Sequence, residues 1–472
     1  MPWPDALEPV RMERVALVAP REALREVLVA VADAGTVEID IITPQADGEP
    51  GEAARRLQRV HTDGPLRPCL ALGRPDLAAL ERDGRADLLA GEAELEGYAQ
   101  DALLRGSVSA LTGWAPSAEL PRIADRLAAS GGAIVPLPRP RGTDPPTLLR
   151  PEGRLHRSFA PLVNTYATVP YADVDPTLLA GFAYVVMFGM MFADAGHGLL
   201  LLLGGLLLRA GWPRRLAKLR PVWLFIAGAG VSACVFGLLF GEFFGPTGVV
   251  PTLWLSPLDE PVTLLVAALG VGAVLLAAAY VLGTVNRWRE GGWRFALVAP
   301  SGIAGAALFL GLGLLALGVV SGQEPLVAAG VLVAIGGLAL AYVGLLAAAG
   351  GGSEGVAQAT VELFDSVIRL GTNLVSFARL AAFGLTHAAL GAIVWAGTTT
   401  LWDAGGLAVL GAIVLFLVGN AVSFALEAVV AGVQALRLEY YELFSRVFQN
   451  EGRPFRPWHL PTASLPVEER VS

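Results

Sequence analysis

The chain has 472 residues, of which 54% are hydrophobic and only 16% charged, and its mean hydropathy is +0.57. Its net charge of −8, from 34 basic and 42 acidic residues, argues against a nucleic-acid partner. The two cysteines, Cys69 and Cys234, fall in different parts and offer no disulfide framework or metal-ligand cluster.

Charged residues are dense before residue 160 and sparse afterwards, which divides the chain into a soluble and a membrane part. The expected organisation is a cytoplasmic α/β domain over 1–155, a linker over 156–178, a membrane domain over 179–449 and a cytoplasmic tail over 450–472. The first residues, with Asp5, Glu8, Arg11 and Glu13, lack the apolar core of a signal peptide.

In chain order, Val15–Val18 reads as a strand and Arg21 to Ala34 has helical periodicity. Gly35 stops that helix, and Val37–Ile41 alternates as a second strand. A polar stretch with Pro44, Gly48, Pro50 and Gly51 follows. Charged helical segments over 52–60 and 76–104 form a short arm, broken at Gly84 and Gly91. The longer piece would reach only about 40 Å. Residues 108–138 repeat the earlier plan, with strand Val108–Trp114, Ser117 as N-cap, a helix to Ala129, a Gly131-Gly132 stop and strand Ala133–Val135. Two βαβ-type lobes joined by the arm are expected.

The membrane part divides into about eight spans, near 179–193, 198–211, 222–242, 262–285, 295–320, 326–349, 363–400 and 406–440. The first two are short and meet at the polar turn Asp194-Ala195-Gly196-His197-Gly198, as a hairpin that need not cross the whole bilayer. Arg209, Arg214, Arg215, Lys218 and Arg220 follow span two. Arg287, Arg289 and Arg294 follow span four, and Arg446, Arg453 and Arg456 follow span eight. The opposite loops carry Asp259, Glu260, Glu324 and Asp403, so the positive-inside rule puts both termini in the cytoplasm. The fold class is a polytopic α-helical membrane protein with a small N-terminal α/β domain.

Span seven carries Arg379 within Ser376-Phe377-Ala378-Arg379-Leu380-Ala381-Ala382-Phe383. A cation there costs at least ~2.5–3.5 kcal/mol if it faces lipid, so Arg379 should face a polar cavity or an acidic partner. His387 lies eight residues further along, about 12 Å at helical rise. Span eight carries Glu427 and Arg437, which are about 15 Å apart on one helix and cannot bond each other. With Asp365, these ionisable groups are staggered across the bilayer as a proton path requires. A static Arg379–Glu427 pair and a helix-contact role for His387 are the plain alternatives, and Arg437 could simply snorkel to the interface. Asp194, His197 and Glu242 sit at turns, where a structural or capping role is expected.

The chain resembles the membrane subunit of rotary V/A-type ATPases, called subunit a in eukaryotes and subunit I in prokaryotes. The resemblance rests on Phe188-Gly189-Met190-Met191-Phe192-Ala193-Asp194-Ala195-Gly196-His197-Gly198, on Phe240-Gly241-Glu242-Phe243-Phe244-Gly245 and on the Arg379 segment. It extends through Arg437-Leu438-Glu439-Tyr440-Tyr441-Glu442-Leu443-Phe444 and Gly452-Arg453-Pro454-Phe455-Arg456-Pro457. Leu111-Thr112-Gly113-Trp114-Ala115-Pro116, Pro145-Pro146 and Asp175-Pro176-Thr177 match upstream. It implies a stator whose Arg379 faces a rotating ring of proteolipid subunits, each with a buried carboxylate. His387, Glu427, Arg437 and Asp365 then line the half-channels for proton translocation. It also implies peripheral stalk subunits, through which an ATP-hydrolysing head is held. Members of the family usually carry a much longer coiled-coil hairpin between the two lobes, so the arm over 52–105 is short.

No G-x-x-x-x-G-K-[ST] run is present, so ATP chemistry is expected of partner subunits; no catalytic residue, cofactor or metal is expected of this chain. A self-contained secondary ion transporter, or a non-conducting membrane scaffold, stays open as a reading.

Overall fold

The computed structural model describes residues 8–40, 50–61, 64–140, 143–149, 153–166, 168–448 and 451–463. The chain forms two compact units, one from 9–150 with 452–472 and one from 1–8 with 151–451.

The smaller unit is built from β1 (Met12–Pro20), α1 (Leu24–Ala34), β2 (Glu38–Ile39), α2 (Glu52–Leu57), β3 (Leu70–Ala71), α3 (Leu77–Arg82) and α4 (Ala86–Gln100). There follow β4 (Leu103–Arg105), β5 (Val108–Pro116), α5 (Leu120–Ala129), β6 (Ala133–Leu137) and β7 (Thr462–Ala463). The two expected lobes are halves of one sheet of order β2-β5-β1-β6, with β4 beside β5. Pairing is antiparallel, with Leu17 opposite Leu111 and Ile134. This is a split βαβ arrangement, in which β1 and β5 interleave at the centre. Alternate residues of β1, Val15, Leu17 and Ala19, bury against Val27, Leu28 and Val31 of α1 and Ile123 and Leu127 of α5.

Several local expectations shift. Gly35 does end α1, at φ 59. Ser117 is not the N-cap of α5; its N–H donates to Arg11 O at 2.8 Å, and the helix begins at Leu120. Gly84 breaks the arm at φ 65, but Gly91 lies inside α4, where a Cβ would come 2.0 Å from Cys69 O. The region read as a separate tail packs instead with residues 9–149: Trp458 and Leu460 are buried in the same core, and β7 pairs in parallel with β3. Ile41, Pro44, Gly48 and the last residues lie outside the described residues.

The larger unit is helical: α6 (Gly153–Tyr166), α7 (Thr177–Met191), α8 (Ala195–Ala210), α9 (Trp223–Phe240), α10 (Pro261–Val298), α11 (Ile303–Ser321) and α12 (Glu324–Ala348). It closes with α13 (Gly352–Ser376), α14 (Ala378–Asp403) and α15 (Ala408–Leu438). Its core joins Tyr184, Met187 and Phe188 of α7 to Leu275 and Tyr280 of α10, Leu380 of α14 and Ala431 and Ala435 of α15. Among the described residues six helices are long and apolar enough to cross a membrane, running through 214–240, 261–298, 303–321, 324–348, 352–403 and 408–447. The two apolar helices α7 and α8 are shorter, at 15 and 16 residues. The chain is a multi-pass membrane protein.

Helix α10 runs past the expected end of its apolar span and turns off helical geometry only at Gly292, with φ 78 and ψ −178. Arg287 and Arg289, expected in a loop, are therefore on a helix, and Arg287 is only 1% exposed and pairs with Glu290 at 2.7 Å. The expected seventh span is two helices that meet at Phe377. There the Phe377 N–H reaches Leu374 O (3.1 Å) and the Leu380 N–H reaches Phe377 O (2.9 Å), both three residues back. The buried Phe377 ring seats over Gly272 of α10, where a Cβ would lie 2.3 Å from its Cγ.

Candidate functional site

The polar turn between α7 and α8 is organised by Asp194, which is fully buried. Its Oδ1 accepts from the His197 N–H (2.9 Å), capping α8, and from the Phe244 N–H (3.0 Å); its Oδ2 accepts from the Gly245 N–H (2.8 Å). Gly245 sits at φ 88 with its Cα against Gly391, which leaves no room for a side chain. Glu242 accepts the Ala195 N–H through its carbonyl (2.9 Å), while its buried carboxylate Oε2 has no hydrogen-bond partner.

His387 on α14 and Glu427 on α15 face this turn, and both are buried. The His387 Nδ1 is hydrogen-bonded to Glu427 Oε2, and the His387 Nε2 lies 4.0 Å from Asp194 Oδ2. The His387 ring centre is 5.7 Å from that of His197 and 5.4 Å from that of Phe192. Phe424 closes the other side, 5.6 Å from His197. Asp194, His197, His387 and Glu427 thus form one polar cluster walled by aromatic rings. In so dry a setting, charge must be balanced by a partner a few ångströms away or neutralised by a proton.

The other expected site residues stand apart. Arg379 is half-buried beside the Phe377 joint and lines an open groove with Val367, Ile368, Thr372 and Val375. Among the described residues it forms no ion pair, so the static Arg379–Glu427 pair is not the arrangement adopted; Glu427 is taken by His387. Asp365 is on the exposed face of α13 and pairs with Arg369 one turn on, with Asp365 Oδ2 accepting from Arg369 Nε at 2.7 Å. Arg437 is exposed near the end of α15.

Sequence reasoning missed two features. It left Asp194 and His197 as turn residues, whereas the fold sets them against His387. It also missed that Glu427, Ala431, Ala435, Glu439 and Glu442 share the buried face of the last helical segment, a spacing of three to four residues readable in the sequence. The chain winds as a π-helix over Glu439–Phe444. There the Asn373 amide, with its nitrogen toward Glu442, donates to Glu442 Oε2 (2.9 Å) and accepts from Arg446 (3.3 Å).

The fold and site define a helical membrane protein with a buried histidine–carboxylate cluster and, on an open groove, an arginine without an ion pair among the described residues. Residues 103–218 match the model of the V-type ATPase 116kDa subunit family. The A-type ATP synthase subunit I of Pyrococcus horikoshii is 28% identical over 392 residues, covering 79% of this chain and 57% of the relative. Those of Aeropyrum pernix and Halobacterium salinarum are each 29% identical, covering 68% and 67% of this chain and 51% and 52% of their own lengths. The chain spans just over half the length of these curated relatives. These similarities support a place among the subunit I proteins of V/A-type ATPases.

Proposed function

We propose that the chain is the membrane stator of a V/A-type rotary ATPase or ATP synthase, providing the half-channels and the essential arginine against a rotating proteolipid ring. The observation that carries this reading is the contrast between Arg379, without an ion pair among the described residues and on an open groove, and His387 and Glu427, bonded to each other in a separate buried cluster. A carboxyl of a ring subunit arriving in the groove meets a guanidinium that stays charged at any relevant pH. The opposite charge lowers the carboxyl's pKa and its proton leaves. As the ring turns, that carboxylate passes Arg379, leaves the guanidinium and takes up a proton from the other half-channel, so one proton crosses per site.

On this reading the cluster of Asp194, His197, His387 and Glu427, with Glu242 nearby, lines the outer half-channel. Asp365 and Arg437 lie toward the inner one. The apolar faces flanking the groove, with Val361, Phe364 and Val375 exposed, suit a greasy ring surface as well as lipid. The short α7–α8 hairpin is a seventh and eighth membrane element, and both termini are cytoplasmic. The smaller unit engages peripheral stalk subunits, which tie the stator to the ATP-hydrolysing head.

Purification of the full chain from its membrane in mild detergent tests this. Co-purification of a proteolipid ring and an ATPase head is the expected result, and a lone homo-oligomer would overturn the assignment in favour of a self-contained transporter.

A further inference from the structure

The buried cluster has the donor set of a transition-metal site. One donor atom each from Asp194, His197 and His387 lie within 4.8 Å of one another, and all three residues are buried. The sequence gives no hint of this, since no metal-ligand spacing links the three; they come from the α7–α8 turn and from α14.

Four features point beyond chance proximity. Neither ring nitrogen of His197 has a partner in good hydrogen-bond geometry among the described residues, although the residue is only 3% exposed; the Asn420 amide approaches it, with its nitrogen donating to Phe416 O (2.9 Å). A buried imidazole whose nitrogens are poorly satisfied by the protein is available as a ligand. His387 is held by Glu427 through Nδ1, which fixes the ring and turns Nε2 toward Asp194. A carboxylate on the far nitrogen of a ligating histidine is the usual outer-shell partner of zinc sites. The Asp194 carboxylate is itself oriented by three backbone N–H groups. The second oxygen of Glu427, Oε1, is buried without a partner and supplies negative charge beside the site.

We propose that Asp194, His197 and His387 bind a single transition-metal dication of the zinc type. Two imidazoles and one carboxylate suit zinc and its first-row neighbours rather than calcium or magnesium, which prefer oxygen alone. Two donors on one tetrahedral zinc ion sit about 3.4 Å apart, given bonds of about 2.0–2.2 Å. Side-chain rotation of less than about an ångström therefore closes the His387–Asp194 gap. With Asp194 and Glu427 both ionised, the dication is charge-balanced in an apolar wall. The site's effect on function rests on the outer half-channel reading above. An ion there occupies the His387 Nε2 and the Asp194 carboxylate, and so plugs that route.

The test uses the full-length chain in detergent, with Co²⁺ as a spectroscopic probe and Zn²⁺ for calorimetry. The expected result is one equivalent bound with tetrahedral Co²⁺ absorption bands. His197→Ala should weaken binding at least about tenfold, and Glu427→Gln about 10–100-fold as an outer-shell change. His197→Cys should restore binding and add a sulfur-to-cobalt charge-transfer band, a result that misfolding could not mimic. His459→Ala should leave affinity unchanged. Absence of stoichiometric binding, or affinity indifferent to both His197→Ala and His197→Cys, overturns the site and leaves the half-channel reading intact. Stoichiometric binding with undiminished ATP-driven transport in the reconstituted complex keeps the site and removes His387 from the route.

Discussion

Arg379 and His387 share one helix, about 12 Å apart, yet stand in opposite environments. Arg379 lines an open groove without an ion pair among the described residues, whereas His387 is buried and bonded to Glu427 of the adjacent helix. Two ionisable centres are thereby separated along one element, which is the arrangement the proposed stator role calls for.

If Arg379 is the ring-facing charge, Arg379→Ala should abolish ATP-driven ion movement into reconstituted vesicles while the complex still assembles. Arg379→Lys should retain little of it, because a compact ammonium lacks the broad, permanently charged fork. Near-normal acidification by Arg379→Ala vesicles would sink the assignment.

Glu427 bonds His387, whereas Arg437 is exposed at the helix end. Glu427→Gln should slow transport about tenfold or more, by removing a group that can take up and release a proton. Arg437→Ala should have a smaller effect on protein level than that. Equal transport by Glu427→Gln and the parent takes Glu427 off the route.

A pH-dependent anchor lies outside the membrane spans, where His156 Nε2 and Asp175 Oδ2 meet at 2.5 Å. The Asp175 hydrogen bond holds the His156 pKa above its ordinary value, against the opposing effect of burial. Burial pushes the Asp175 carboxyl up, but the hydrogen bonds from His156 and Thr177 outweigh it and hold the carboxyl low. The histidine contribution is complete below about pH 6.5 and is lost as pH rises through the raised value; the aspartate contribution is complete above about pH 3.9 and is lost as pH falls through the lowered one. Amide-exchange protection of residues 168–176 should therefore be greatest between these limits. His156→Asn should abolish the loss on the alkaline side, and a pH profile unchanged by that substitution would discount the pair.

The last described segment belongs to the core of the smaller unit, through Trp458 and Leu460. Leu460→Ala should destabilise that unit by about 2–5 kcal/mol, the usual cost of truncating a buried leucine. Thermal unfolding of the full chain, followed by amide-exchange protection of residues 457–463, checks this; an unmoved transition would mean the segment packs only loosely.

The Phe377 ring seats directly on Gly272, so Gly272→Ala forces one of them to move. Overpacking of this kind costs about 1–3 kcal/mol. Loss of stability in detergent is expected, with partial recovery when Phe377→Leu is added. A fully stable Gly272→Ala variant would show that the contact is slack.

The long apolar helices and the lone Arg379 could be read from the sequence, because span length and an unfavourable buried charge are local properties. The continuation of α10 through Arg287 could not. Hydropathy marks where a span turns polar, and the helical hydrogen bonds run on regardless. The sheet was misread for a related reason: two strand–helix–strand repeats suggest two lobes, and only the long-range pairing of Leu17 with Leu111 and Ile134 shows one. The contact of His387 with Asp194 links a turn to a distant helix, and no short-range pattern encodes it.

The joint at Phe377 has a mechanical consequence. Its backbone bonds reach back three residues instead of four, so bending there strains fewer helical bonds than elsewhere along 352–403. A sideways load on α13 is absorbed at that point, while Phe377 stays pinned on Gly272 and Arg379 keeps its place. The element works as a hinged strut with a fixed pivot.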